Sequence, residues 1–353
     1  MGPEDACQMG YALVLEGDRF FHERDMARAR QSWEEAAGLL LPMVDGATTR
    51  LPALCFESAS VSLWRLAMLA ERLGDARAAA TRYRKALEID EQHLPTSINT
   101  AYFARSTGRN YLAIGDYENA LSFAERAVAL RRAVEPDAIG VSRDLNDVGR
   151  AHLARGEFDA AVAVFTEALT ISSKLEPGGD DEAATLNNLG QAHWKRGDPR
   201  KGLDYHLRAL RIDEERDPRS PETATDLNNV GLMHKMLNDL PTAMSYYRRA
   251  LEIDHGRDPE SMATARDLQN IAKLHAAYAE VFAHHGHAGA AEAREAELDF
   301  IRRALDIAER RAPGSPDHAT VLRAMGDAVS AQGDEAAAAE YYQQADRIAY
   351  GAG

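Results

Sequence analysis

Residues 186–193 read LNNLGQAH and residues 227–234 read LNNVGLMH, so an asparagine pair recurs 41 positions along the chain. A side-chain amide carries a donor and an acceptor together, which are the two groups needed to pair with the N–H and C=O of an extended peptide backbone. Inside a helix asparagine is otherwise a poor choice, because its short amide competes with the backbone for hydrogen bonds. Asn146, Gln269 and Asn270 fall on the same ladder. The chemistry on offer is therefore recognition, with no bond made or broken. The chain has no glycine-rich phosphate loop, no G-x-S-x-G and no H-E-x-x-H, and acidic pairs such as Asp180-Asp181 and Glu214-Glu215 fall in expected loops or helix ends. A protein that is not an enzyme and uses no cofactor is expected.

Two other residue types invite a metal reading. His152, His193, His234 and His275 keep the 41-residue step. Packed helices lie about 8–10 Å apart, whereas a zinc ion needs its nitrogens at about 2 Å, so this ladder suits packing. His284, His285 and His287 cluster beside Gly286, with no Cys or Asp/Glu nearby to complete a ligand set. Cys7 and Cys55 are the only cysteines, too few and too unpatterned for a disulfide framework or a metal site. A reducing cytoplasm is the compartment they fit.

Charge narrows the partners. Lys and Arg total 41 against 56 Asp and Glu, and the net charge of −15 disfavours nucleic acid and anionic membrane. No apolar run approaches the roughly 20 residues that span a bilayer, and the opening MGPEDACQMG is acidic where a signal peptide would be basic. Few lysines and abundant alanine are the composition of a GC-rich bacterial coding sequence.

The elements that must position these residues follow from three ladders. Small residues at Ala67, Gly108, Gly149, Gly190, Gly231 and Ala272 stand 41 apart, and nineteen residues after the first five come Ala86, Ala127, Ala168, Ala209 and Ala250. Pro95, Pro136, Pro177, Pro218 and Pro259 keep the same step. Between marker and alanine lies Gly74-Asp75, Gly115-Asp116, Gly156-Glu157, Gly197-Asp198 or Asn238-Asp239, where Gly or Asn closes one helix and an acidic residue opens the next. The unit is helix, turn, helix, with Tyr83, Phe165 or Tyr247 as the bulky partner of the small marker.

These residues resemble the tetratricopeptide repeat family, the matching positions of one unit being Leu227, Gly231, His234, Ala243, Tyr247, Ala250 and Pro259. The family's usual period is about 34 residues. The longer step, with LNN opening units, resembles the repeats of kinesin light chains. The resemblance implies an all-α fold, a right-handed α-solenoid of about eight antiparallel helix pairs. It would form a single array over 4–350, with repeats at 9–45, 56–93, 97–134, 138–175, 179–216, 220–257, 261–312 and 315–350. From Ala272 the next marker is Gly326, a step of 54, so 13 residues are inserted and both helices of that hairpin should run on by about two turns.

Helical geometry then sorts the faces. Leu186, Leu189, Leu227, Val230, Leu268 and Ile271 share one side and form the expected core. The opposite side collects Arg65, Arg72, Arg109, Arg143, Arg150, Lys195, Arg266 and Lys273, against Asp147 as its one acidic residue. In an acidic chain this points to an anionic ligand. The resemblance places this side on the concave groove. Kinesin light chains and the repeat-built peptide receptors of bacterial quorum sensing use groove asparagines to hold peptide backbone. By that likeness Asn188, Asn229 and Asn270 would take the role, flanked by Asn146, Asn187, Asn228 and Gln269, with Asp147 interrupting the ladder. Arg105, Gln191, Leu232 and Met236 complete the candidate groove. The same residues also allow a plainer reading, in which the asparagines satisfy the neighbouring repeat and the arginines are solvated.

The expected function is a non-catalytic adaptor or regulatory subunit that holds an extended, acidic peptide segment. One alternative is a peptide-responsive sensor that controls a separate effector, such as a protease or a transcription factor. Another is a self-assembling scaffold. In the last repeat Tyr341, Tyr342, Ile348 and Tyr350 are expected to leave an open apolar surface, a candidate interface for self-association.

Overall fold

The structure, a computed structural model, describes residues 2–46, 51–94 and 97–350. Pro95 of the proline ladder and the side chain of Tyr350 lie outside the described residues. Among those described, every regular element is an α-helix, and there are sixteen. They run α1 (Pro3–His22), α2 (Met26–Asp45), α3 (Ala53–Arg72), α4 (Ala76–His93), α5 (Ile98–Ala113), α6 (Tyr117–Val134), α7 (Ile139–Ala154) and α8 (Phe158–Leu175). Then follow α9 (Asp180–Lys195), α10 (Pro199–Arg216), α11 (Pro221–Met236), α12 (Leu240–Arg257), α13 (Met262–His284), α14 (Gly289–Arg311), α15 (Pro316–Ser330) and α16 (Glu335–Tyr350). The chain divides into two compact units, Met1–Ala192 and His193–Gly353.

Turn chemistry makes the hairpins. Gly156 turns at φ 79° and Asn238 does the same work at φ 63°, a left-handed conformation open to few other side chains. The acidic residue that follows caps the next helix: Asp75 accepts from the Ala78 N–H, Asp116 from Asn119, Asp198 from Lys201 and Asp239 from Thr242. In the inserted repeat the turn falls at His285 and Gly286. There α13 and α14 run 23 residues each, where α11 and α12 run 16 and 18.

The marker residues are small because an aromatic ring lies against them. A Cβ on Gly149 would stand 2.3 Å from the Phe165 ring, one on Gly231 2.7 Å from Tyr247, and one on Gly326 2.5 Å from Tyr342. Gly17 meets Trp33 in the same way. Around these contacts runs the core: Leu63, Tyr83, Phe103 and Ala127 in the first unit, Leu268, Ile301, Leu322 and Met325 in the second. Among the described residues α3 alone is long and apolar enough to cross a bilayer, and more than half of its apolar window is buried in the protein.

First helices of successive pairs approach one another, α1 to α3 and α5 to α7 in the first unit, α11 to α13 and α13 to α15 in the second. They therefore lie on the inner side of each stack.

Two expectations change at the ends. Cys7 and Cys55, 48 residues apart, are joined in a disulfide between α1 and α3. Sequence spacing hid the pair because the fold, through the α1 to α3 approach, brings them together. At the other end, Tyr341 and Ile348 are half-buried against the core of the second unit, and the Tyr342 hydroxyl donates to Asp327 at 2.8 Å. The outward side chains of α16 are polar or small, including Glu340, Gln343, Gln344 and Arg347. Tyr341, Tyr342 and Ile348 are thus partly covered rather than fully open. Exposed large apolar side chains occur instead on α1, at Met9, Tyr11 and Leu15.

Candidate functional site

The asparagines lie on the inner helices, and each pair divides its labour. In the first unit the Asn146 amide donates to its own helix at the Ser142 carbonyl, 3.0 Å, and across to Thr185 of α9 at 2.7 Å. Its Oδ1 accepts from the Asn188 amide at 2.8 Å. In the second unit Asn228, buried, donates to the Ala224 carbonyl at 3.1 Å and to Asp267 of α13 at 2.6 Å, and accepts from Asn270 at 2.9 Å. At the first position of the ladder Asn146 and Asn228 thus bond the next repeat, while at the second Asn188 and Asn270 reach back to the previous one.

The second asparagines keep something in hand. Asn188 and Asn270 are half-buried, and each spends one amide hydrogen on its neighbour. Among the described residues their Oδ1 atoms and remaining N–H have no protein partner. The inter-repeat bond fixes the amide plane, so a donor and an acceptor are held ready side by side. Asn187 and Asn229 are likewise half-buried, and Gln191 is exposed.

Most of the basic side chains have protein partners. Arg65 meets Asp18 at 2.9 Å, Arg143 meets Asp181 at 2.8 Å, and Arg266 reaches Asp254 at 3.5 Å and Asp267 at 3.9 Å. Asp147 is not a gap in an open ladder: it is buried and holds Arg105 at 2.6 Å and Arg150 at 3.2 Å. Arg72 lies over the Phe21 ring and Lys195 over Trp194. Arg109 and Lys273 have no ion pair or hydrogen bond among the described residues. Acidic residues, Asp147 on the same face and Asp18, Asp181 and Asp254 off it, thus answer several of these cations, while Arg109 and Lys273 stay open. Leu232 is half-buried and Met236 half-exposed on the same side of α11.

The histidine ladder packs. His193 stacks on Tyr205, His234 on Tyr246 and His275 on Phe300, with ring centroids 5.2, 5.5 and 5.4 Å apart. Burial holds His193 and His275 below the usual histidine range, which favours the neutral ring. At the long hairpin's turn the His285 ring pairs with the Val281 carbonyl and His287 accepts from the Gly289 N–H.

With this geometry in view, the tetratricopeptide repeat profile matches residues 58–133, 108–174 and 177–254, more than half of the chain. The chain belongs to the tetratricopeptide repeat family. No curated protein sequence matches it. Solved structures do. The quorum sensor NprR of B. thuringiensis, in its apo form, is 12% identical, covers 96% of this chain and 87% of its own, and superposes with a TM-score of 0.65. A Rap conjugation gene regulator of plasmid pLS20, solved with a Phr peptide, is 16% identical over 97% of this chain and 95% of its own, at 0.57. BtubC (BKLC) of P. vanneervenii is 23% identical over 66% and 91%, at 0.53. At these identities the likeness is one of fold.

As a tetratricopeptide repeat protein the chain also carries functional groups that the sequence reading passed over. Thr185 and Asp267 receive the inter-repeat amide bonds, and Lys235 lines a pocket beside Lys273. Thr185, Asp226 and Asp267 stand 41 apart with Asp144, a ladder that the period alone could have revealed.

Proposed function

We propose that the chain is a non-catalytic, peptide-binding regulatory adaptor whose inner helices hold an extended segment through the second asparagines of each pair. The observation that carries this reading is the state of Asn270 and Asn188: oriented by a bond to the neighbouring repeat, half-exposed, each with an acceptor and one donor unspent. In the second unit Asn229 and Asn270 are one repeat apart. Helix packing sets that spacing at roughly 10 Å, close to three residues of extended chain at about 3.3 Å each, so every third peptide unit could be read. A Rap regulator solved with a Phr peptide and a quorum sensor share the fold, which supports a regulatory peptide receptor.

A sensor reading has an observation of its own. The amides that would contact a ligand also bond successive repeats, so occupancy and repeat spacing are linked through the same side chains. Control of a separate effector would follow from that link.

The test is selection of a random peptide library on the full chain. Retained peptides should lose roughly three- to tenfold in affinity for each asparagine removed in Asn229→Ala and Asn270→Ala, the value of one neutral hydrogen bond. Circular dichroism checks that the variants remain folded. Equal binding by the double variant and the parent would refute the assignment.

A further inference from the structure

The first half of α1 is held to the protein mainly through one side chain. Of residues 3–10 only Ala6, Cys7 and Gly10 are buried. Gly10 has no side chain to bury and lies against Leu40 of α2, where a Cβ would come within 2.6 Å. Ala6 contributes a single methyl group, whereas Cys7 is bonded to Cys55 of α3, with the α-carbons 4.8 Å apart. The second half is anchored differently. Val14 is buried, Gly17 receives the Trp33 ring, and the Asp18 carboxylate accepts from Trp33 Nε1 at 3.2 Å and from Arg65 of α3 at 2.9 Å.

Two features make that bond reversible in place. Cys7 and Cys55 are the only cysteines, so no other thiol of the chain can take over either sulfur. Both are buried, so an external thiolate reaches them only when the first turns of α1 lift. Once reduced, the two sulfurs must move out of bonding distance in a packed site, which favours the lifted position. What α1 uncovers by lifting is apolar: Leu40 and Val44 of α2, Leu51, and Phe56 of α3 share one buried cluster with Cys7.

We propose that the Cys7–Cys55 bond is a reversible redox lock on the first half of α1, closed as the disulfide and open as the dithiol. A dithiol reductant supplies the two electrons and two protons. Its thiolate attacks one sulfur of the bond, and the other sulfur leaves as a thiolate that takes up a proton. The reductant's second thiol then displaces the mixed disulfide, leaving two cysteine thiols and the reductant as its own cyclic disulfide. A disulfide oxidant runs the sequence backward. Opening frees α1 from Pro3 to about its middle, while Trp33 and Arg65 keep the second half in place through Asp18. The lock acts on the first unit and is independent of the peptide-binding reading.

The test is amide hydrogen exchange on the full chain, read by mass spectrometry with and without dithiothreitol and in the absence of denaturant. Alkylation of the same samples counts the thiols. The reduced parent should take up an alkyl group at both Cys7 and Cys55, and its amides at residues 7–13 should exchange roughly tenfold faster or more. Those of α7 and α8 should keep the rate of the oxidised protein. Oxidised glutathione should restore slow exchange in α1. The double variant Cys7→Ala with Cys55→Ala should not respond to dithiothreitol, and a response there would assign the effect to something other than the bond. The lock is overturned by a bond that resists reduction until the first unit unfolds, or by a reduced protein in which residues 7–13 exchange at the oxidised rate. Acceleration spread evenly over the first unit overturns it too, since the bond would then brace the whole unit and not α1.

Discussion

Replacing Asp267 with asparagine is expected to stabilise the protein at pH 8 by roughly 1–3 kcal/mol and to change it little at pH 4. Asp254 at the end of α12 and Asp267 of α13 are both buried and act on each other, and Oδ2 of Asp267 accepts no hydrogen bond among the described residues. Burial, then the charge of Asp254, pushes Asp267 up to about 7, against the hydrogen bond from Asn228 and the charge of Arg266. Unfolded, the same group titrates near about 3.9. A carboxyl with the higher pKa in the folded state binds its proton more tightly there. Its contribution is complete below about pH 4 and is lost as the pH rises through about 7. The three-unit gap corresponds to about 4 kcal/mol, a ceiling because the proton is shared with Asp254. The amide of the Asp267→Asn variant can accept from Asn228 and donate to Asp254 without needing a proton. Urea denaturation of variant and parent at the two pH values measures the difference. Equal destabilisation at both would show that Asp267 is ionised in the native state.

The same pattern recurs one repeat earlier, where burial raises Asp213 and a hydrogen bond to Asp226 holds the pair. It does not recur everywhere. At the matching positions of the first unit, Arg131 and Asp144 form an ion pair, and Ser172 and Thr185 stand neutral. One structural position thus accepts a salt bridge, two hydroxyls or an acid pair.

Opening the Cys7–Cys55 bond is expected to cost about 2–4 kcal/mol, since it closes a long loop whose freedom would return to the unfolded chain. The two residues are 48 apart in sequence and both are buried. Cys7→Ala with Cys55→Ala should therefore lower the denaturation midpoint of the first unit, and reductant should lower that of the parent toward the same value. Thiol titration in denaturant should count none in the parent. Two free thiols, or a double variant as stable as the unreduced parent, would contradict the bond. The cytoplasmic expectation pulls the other way, because disulfides persist mainly in oxidising compartments. A thiol count on protein taken directly from its native cells decides between them.

The helices, their turns and their core side were legible because each is written in local pattern. A small marker sits opposite an aromatic, Gly or Asn precedes an acidic cap, and Leu186, Leu227 and Leu268 recur where the inner helix meets its partner. The candidate site was legible only in part. Periodicity put Asn188, Asn229 and Asn270 on one side, but the partners that neutralise Arg65, Arg143 and Arg266 come from Asp18, Asp181 and Asp254, on other helices. A face-by-face charge count cannot see across helices. The disulfide and the inward turn of Tyr341 and Ile348 were hidden for the same reason: both depend on which elements pack together.

Peptide is proposed to lie along the inner helices. A retained peptide carrying a photoreactive benzoylphenylalanine, irradiated on the full chain and mapped by mass spectrometry, tests it directly. Adducts are expected on the inner sides of α11 and α13, with Met236 and Leu232 foremost since both present accessible side chains there. Adducts confined to the second helices, or to the exposed Tyr11 and Leu15 of α1, would contradict it.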